Sequence, residues 1–172
     1  MSVIKKFFII FVVFLSFSSF SWSVIAVNVG VKPGHWAKYK IESVAFGGQY
    51  SYIKLSISSV QGTKISGTVT YEYPYGTLPT TVSFQYDIST GMGFTTLPYW
   101  IIPANSKVGD TILVGYVGFE IKGMETRSYA GASRDVVWAE SYTNKLFWDR
   151  ETGILVEETM GGVTLFKLTE TN

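Results

Sequence analysis

Trp36-Ala37-Lys38-Tyr39-Lys40-Ile41-Glu42 and Ile53-Lys54-Leu55-Ser56-Ile57-Ser58 decide the fold class, because each alternates an apolar with a polar side chain. A period of two puts all the apolar groups on one side of an extended chain, as a half-buried antiparallel strand requires. Ile65, Val69, Tyr71 and Tyr73 share one parity in the next run, and Val82, Phe84 and Tyr86 in the one after. Turn-forming residues separate the runs at Phe46-Gly47-Gly48-Gln49, Gln61-Gly62-Thr63 and Pro74-Tyr75-Gly76. A four-stranded meander is the expectation.

From Ile88 to Asp110 the alternation lapses, and Gly91, Gly93, Pro98, Pro103 and Gly109 punctuate the chain. The apolar island Leu97-Pro98-Tyr99-Trp100-Ile101-Ile102-Pro103 carries two prolines and makes a poor central strand. It reads as a crossover that plugs the core with Trp100 and Ile101; a lid or membrane-facing tip is the alternative. Strands resume as Thr111 to Tyr116, Phe119 to Lys122, Glu125 to Ala130, Arg134 to Ser141, Lys145 to Trp148, Ile154 to Thr159 and Val163 to Leu168. The fold class expected is all-β: a curved antiparallel sheet, half-barrel or open barrel, after an N-terminal hydrophobic leader helix.

That leader is residues 1–26. Lys5-Lys6 precede the apolar run Phe7 to Leu15, then come serines and Val24-Ile25-Ala26, the layout of an export signal. Left uncut, the same segment would anchor the chain with its lysines on the cytoplasmic side. Either way residues 27–172, a single antiparallel β domain, are expected outside the cytoplasmic membrane, secreted or held at its outer face. With no cysteine, the chain has neither a lipid-anchor thiol nor disulfides, so its core must hold it. Hydrophobic residues at 47% and aromatics at 16% supply the material. Removing Lys5 and Lys6 from 14 basic residues, against 13 acidic ones, leaves a net charge of about −1. Without a basic block, a nucleic-acid partner is not expected.

Candidates for chemistry are few. His35 is the sole histidine and sits in a Pro-Gly loop, so metal and Ser-His-Asp sites lack their usual members. Glu42, Glu72, Glu120, Glu140, Glu157 and Glu158 lie in expected strands, mostly on the polar parity, and read as solvated surface; Glu140 is the least easily dismissed as an acid or base. Tyr86-Asp87-Ile88-Ser89-Thr90-Gly91 and Trp148-Asp149-Arg150-Glu151-Thr152-Gly153 share one pattern, which suits a hairpin loop better than a calcium site. No catalytic residue, metal ligand or cofactor is assigned. The aromatics Tyr39, Tyr71, Tyr73, Phe84, Tyr86, Trp138 and Trp148 are the ligand-lining candidates: they form a core, or else line a groove for an apolar, lipid-like molecule.

Ile102-Pro103-Ala104-Asn105-Ser106-Lys107-Val108-Gly109-Asp110 and Trp148-Asp149-Arg150-Glu151-Thr152-Gly153-Ile154-Leu155-Val156-Glu157 resemble segments of uncharacterised exported archaeal β-rich proteins. The resemblance covers roughly the second half of residues 27–172 and implies no activity. At the level of fold alone, the chain is similar to LolA-like and LppX-like half-barrel carriers of acyl chains, though it lacks their anchor cysteine. The first reading is thus an exported, non-enzymatic β domain that binds an apolar ligand. A structural cell-envelope module and a carboxylate-dependent glycan or lipid hydrolase are the alternatives.

Overall fold

The computed structural model describes residues 27–42, 51–74, 77–94, 99–114 and 117–172. The expected leader helix, the first turn at 46–49 and the start of the apolar island at 97–98 lie outside them. Among the described residues the chain is all-β. The first meander comprises β1 (Trp36–Ile41), β2 (Tyr52–Gln61), β3 (Lys64–Glu72), β4 (Thr80–Asp87) and the short β5 (Met92–Phe94). A separate hairpin follows, β6 (Thr111–Val114) and β7 (Val117–Glu120). The second meander is β8 (Gly123–Tyr129), β9 (Ala132–Ser141), β10 (Asn144–Asp149), β11 (Leu155–Met160) and β12 (Val163–Thr171).

Both meanders join one ten-stranded antiparallel sheet in the order β5-β4-β3-β2-β1-β12-β11-β10-β9-β8. Its first and last strands meet in the middle: Ala37 pairs with Thr171 and Ile41 with Phe166. The sheet is not a closed barrel. Register shows why the alternation was so regular in the first half. Tyr39 faces Ile53, Ile53 faces Tyr71, Leu55 faces Val69, and Val69 faces Val82. Those side chains share one face, here called inner, while Lys38, Lys40 and Lys54 share the outer one.

The inner face is covered by the crossover between the two meanders. Trp100, Ile101, Ile102, Ile112 and Ile121 are all buried. Trp100 packs edge-on to Tyr39, ring centroids 4.3 Å apart, and lies 5.2 Å from Phe166. Crossover backbone is satisfied by segments distant in sequence: Leu155 N–H donates to Trp100 O, Ile102 N–H to Gly153 O, and Ala104 N–H to Asn28 O. Of the two readings of the apolar island, the core plug is the one observed for Trp100 and Ile101.

The second meander departs from simple alternation. Val136-Val137 and Leu155-Val156-Glu157-Glu158 are buried continuously, because β9 to β11 are covered on both faces. Register shifts at Phe147/Trp148 and Glu158/Thr159 add to this by changing which parity faces inward. Glu157 and Glu158, expected on the surface, are therefore core residues. Burial next to an open sequence parity could not be read from the strand alone.

Between β9 and β10 the two-residue loop places Tyr142 at φ 52 with its ring fully exposed. A bulky residue in this left-handed region is strained by about 1–2 kcal/mol. Tyr142→Gly should relieve that strain, less the extra entropy of an unfolded glycine, and raise stability by about 0.5–1 kcal/mol. Urea denaturation of the two proteins measures it; a lower midpoint for the glycine variant would show that the Tyr142 ring makes compensating contacts.

Candidate functional site

The ligand-lining candidates divide among several environments. Tyr39, Phe84, Tyr86 and Trp148 are buried on the inner face, and Tyr71 is half-buried against the same core. Tyr39 donates its hydroxyl to Leu155 O at 2.8 Å, and burial pushes its phenol well above the ordinary range. Trp148 Nε1 donates to Tyr99 O at 2.7 Å. Tyr86 donates to Leu113 O at 3.3 Å; burial, with a smaller push from Asp87, takes it to about 12. Phe84 fills the space left by Gly67, whose Cβ would come within 2.8 Å of that ring. Tyr73 lies just past the end of β3 and bonds Thr80 Oγ1. Trp138 is on the outer face, opposite Phe147.

Outer-face rings are capped by cations. Lys145 Nζ stands 3.6 Å from the Trp138 ring centroid, Arg127 4.0 Å from Phe147, Lys54 4.7 Å from Trp36 and Lys38 4.6 Å from Tyr52. A ring facing an ammonium or guanidinium does not offer that face to a sugar or acyl chain.

Three carboxylates merit comparison. Glu157, on the outer side, accepts from Tyr129 Oη at 2.5 Å, Arg127 Nη1 at 3.2 Å and Thr164 Oγ1 at 3.2 Å. It is a satisfied buried acceptor. Glu158, on the inner side, accepts from Asn144 Nδ2 at 2.6 Å, but its Oε2 has no hydrogen-bond partner among the described residues. Burial pushes its carboxyl above the ordinary range, and the nearby Asn144 amide and Tyr99 phenol pull back only partly. Glu140 is exposed, with Lys145 Nζ 3.9 Å away. Consecutive residues of one strand project to opposite faces, so Glu157 and Glu158 cannot flank one substrate bond as an acid–base pair. His35 is half-buried in its loop, and desolvation with Lys32 nearby lowers its imidazole. Among the described residues no group of three or more His, Asp or Glu side chains is placed to hold a metal ion.

Because the native state holds the Glu158 proton to higher pH than the unfolded chain does, this group's contribution to stability falls as pH rises from the ordinary value of 4.5. It stays low above the raised native value. Glu158→Gln keeps an acceptor for Asn144 and removes the buried charge. The variant should match wild type near pH 4 and denature at a higher temperature than wild type near pH 7. Equal midpoints at both pH values would place the Glu158 charge in contact with solvent.

The repeated six-residue pattern builds the same loop twice. Asp87 Oδ1 accepts from Ser89 N–H and Oγ; Asp149 Oδ1 accepts from Thr152 N–H and Oγ1. Gly91 and Gly153 N–H both return to the Asp carbonyl, at φ 70 and 73. Each loop also grips the crossover. A Cβ on Gly91 would meet Leu113 O at 2.5 Å, and one on Gly153 would meet Ile102 O at 2.1 Å. The aromatic that opens each pattern, Tyr86 or Trp148, donates to a crossover carbonyl. The sequence showed the loop chemistry but not its clamping role.

Two clefts open at the end of the sheet that carries these loops. One, of about 500 Å³, lies between the crossover and the β4–β5 loop. Ile88, Ile112, Pro103, Ala104 and Val27 give it an apolar floor, and Asn105, Lys107 and Asp110 line it beside them. The other, of about 510 Å³, is lined by Asn105, Ala132, Ser133, Arg134, Asp135, Asp149, Arg150 and Glu151 and is mostly polar. No sequence-based site residue falls in the first, and of the second only Asp149 and Glu151 drew notice, as turn residues. Comparison with protein-family models, with curated proteins and with solved structures gives no match.

Proposed function

We propose that this chain is an extracytoplasmic, non-enzymatic β module that takes up a small lipid-like molecule in the cleft beside the β4–β5 loop. The observation that carries the reading is that cleft: about 500 Å³, apolar at its floor and polar at its edge, within the range of small-molecule sites. In this reading the sheet is a curved half-barrel whose concave face is occupied by its own crossover, so the ligand sits at one end of the sheet. Val27, the first residue after the expected leader, lines the cleft. A leader over residues 1–26, cut or retained, delivers the domain across the membrane, and a retained one keeps the cleft beside the bilayer. Membrane and apolar ligand are then the partners.

Titration of the purified protein with a fluorescent fatty acid tests the reading. Saturable micromolar binding is expected. Leu113 lines the cleft and is 43% exposed, so Leu113→Glu leaves the fold intact. It should weaken binding at least about tenfold by bringing a charge to the wall of the cleft. Trp138→Ala, on the far face, should leave binding unchanged. Fluorescence that never saturates would reject the binding role and leave the structural envelope module as the reading.

A further inference from the structure

We propose that the polar cleft is the headgroup subsite of the same ligand, and that the headgroup is a neutral saccharide, so that the molecule bound is a glycosylated amphiphile. This rests on the apolar-cleft reading and adds the chemical class of the ligand's other end.

The two clefts meet at Asn105, which lines both. Its position is held firmly: Asn105 N–H donates to Arg150 O at 2.7 Å and its φ is 58. On the polar side the donors are Asn105, Ser133, Arg134 and Arg150, and the acceptors are Asp135, Asp149 and Glu151. Arg134 is committed, with Nη1 2.8 Å from Asp149 Oδ2, and Asp149 also accepts from Thr152. Arg150 is not. It makes no side-chain hydrogen bond or ion pair among the described residues, and its Nε is buried without an acceptor. A half-buried guanidinium left unpaired is costly, and a ligand oxygen on its terminal nitrogens would offset that cost.

Charge decides which ligand. Two guanidiniums face three carboxylates, so the lining carries no excess of positive charge and a phosphate or carboxylate would meet repulsion. Vicinal hydroxyls suit it instead, since each hydroxyl can accept from Arg150 or Asn105 while donating to Asp135 or Glu151. With no aromatic in this lining, the apolar part of the ligand must bind elsewhere, and the apolar floor lies across Asn105.

Amide chemical shifts of the purified protein, followed with octyl β-glucoside, 1-octanol, glucose and sodium phosphate, test the proposal. Octyl glucoside below its micelle concentration is expected to shift Ser133, Asn105 and Glu151 together with Ile112 and Leu113, and to bind more tightly than octanol. Arg150→Ala should reduce octyl glucoside affinity to that of octanol while leaving octanol binding and the melting temperature unchanged, because only backbone groups of Arg150 are bonded. Equal affinity for octanol and octyl glucoside, insensitive to Arg150→Ala, would overturn the saccharide subsite and leave the apolar reading intact. Shifts from phosphate at Arg150 would overturn it in favour of an anion. Octanol failing to shift Ile112 and Leu113 would overturn the apolar reading and the joined site with it, even if glucose shifted Ser133.

Discussion

Gly153→Val is expected to destabilise the domain by at least about 3 kcal/mol, enough to deplete the folded state of a marginally stable protein. Two costs combine. A β-branched residue at φ 73 is strained in itself, and its Cβ would lie 2.1 Å from Ile102 O, inside van der Waals contact with backbone that cannot rotate away. Relief would require the crossover to lift, breaking the Ile102 N–H bond to Gly153 O and uncovering Trp100. Gly161 separates these effects. It has φ 58 but open space where a Cβ would go, so Gly161→Ala should cost only about 1 kcal/mol. Guanidinium denaturation of both variants measures the difference. Similar losses would mean that backbone strain alone matters and that the loop does not clamp the crossover.

Trp100→Ala should cost about 3–5 kcal/mol. The ring is 1% exposed and wedged between Tyr39 and Phe166, so deleting it leaves a void that two rigid rings and the sheet backbone cannot fill. Tyr39 is itself pinned through its hydroxyl to Leu155 O, which limits collapse further. The same truncation at half-buried Trp138 should cost less, because less of its ring is shielded from water and the Lys145 ammonium stands over it. Paired calorimetric scans give the ranking; an equal loss at the two positions would place Trp138 in the core as well.

How far the fold was legible follows from where water reaches. In β1 to β4 the outer face stays wet, so Lys38, Lys40 and Lys54 mark one parity and Tyr39, Ile53 and Leu55 the other. In β9 to β11 both faces are covered, and alternation carries no information there: Val136 and Val137 are equally buried. The two register shifts compound the loss, which is why Glu157 and Glu158 read as surface residues. The island around Trp100 was legible as a plug because prolines rule out a central strand. The clefts were not legible. Their walls come from residues as distant as Asn28, Asn105 and Arg134, and only the path of the crossover brings them together. The loop pattern at Asp87 and Asp149 was local chemistry and readable; its grip on Leu113 and Ile102 is a tertiary fact.

The pairing of β1 with β12 sets an order of events. Trp36 and Thr171, bonded through the Thr171 hydroxyl, are 135 residues apart, so β1 finds its partner at the centre of the sheet only after β12 has been made. Until β12 emerges, β1 presents an unpaired edge. Contacts this distant in sequence must overcome loop-closure entropy before they stabilise anything, which slows folding. Any holding factor therefore meets β1 open-edged until β12 is made, and deleting β12 would leave two meanders with no strand to join them.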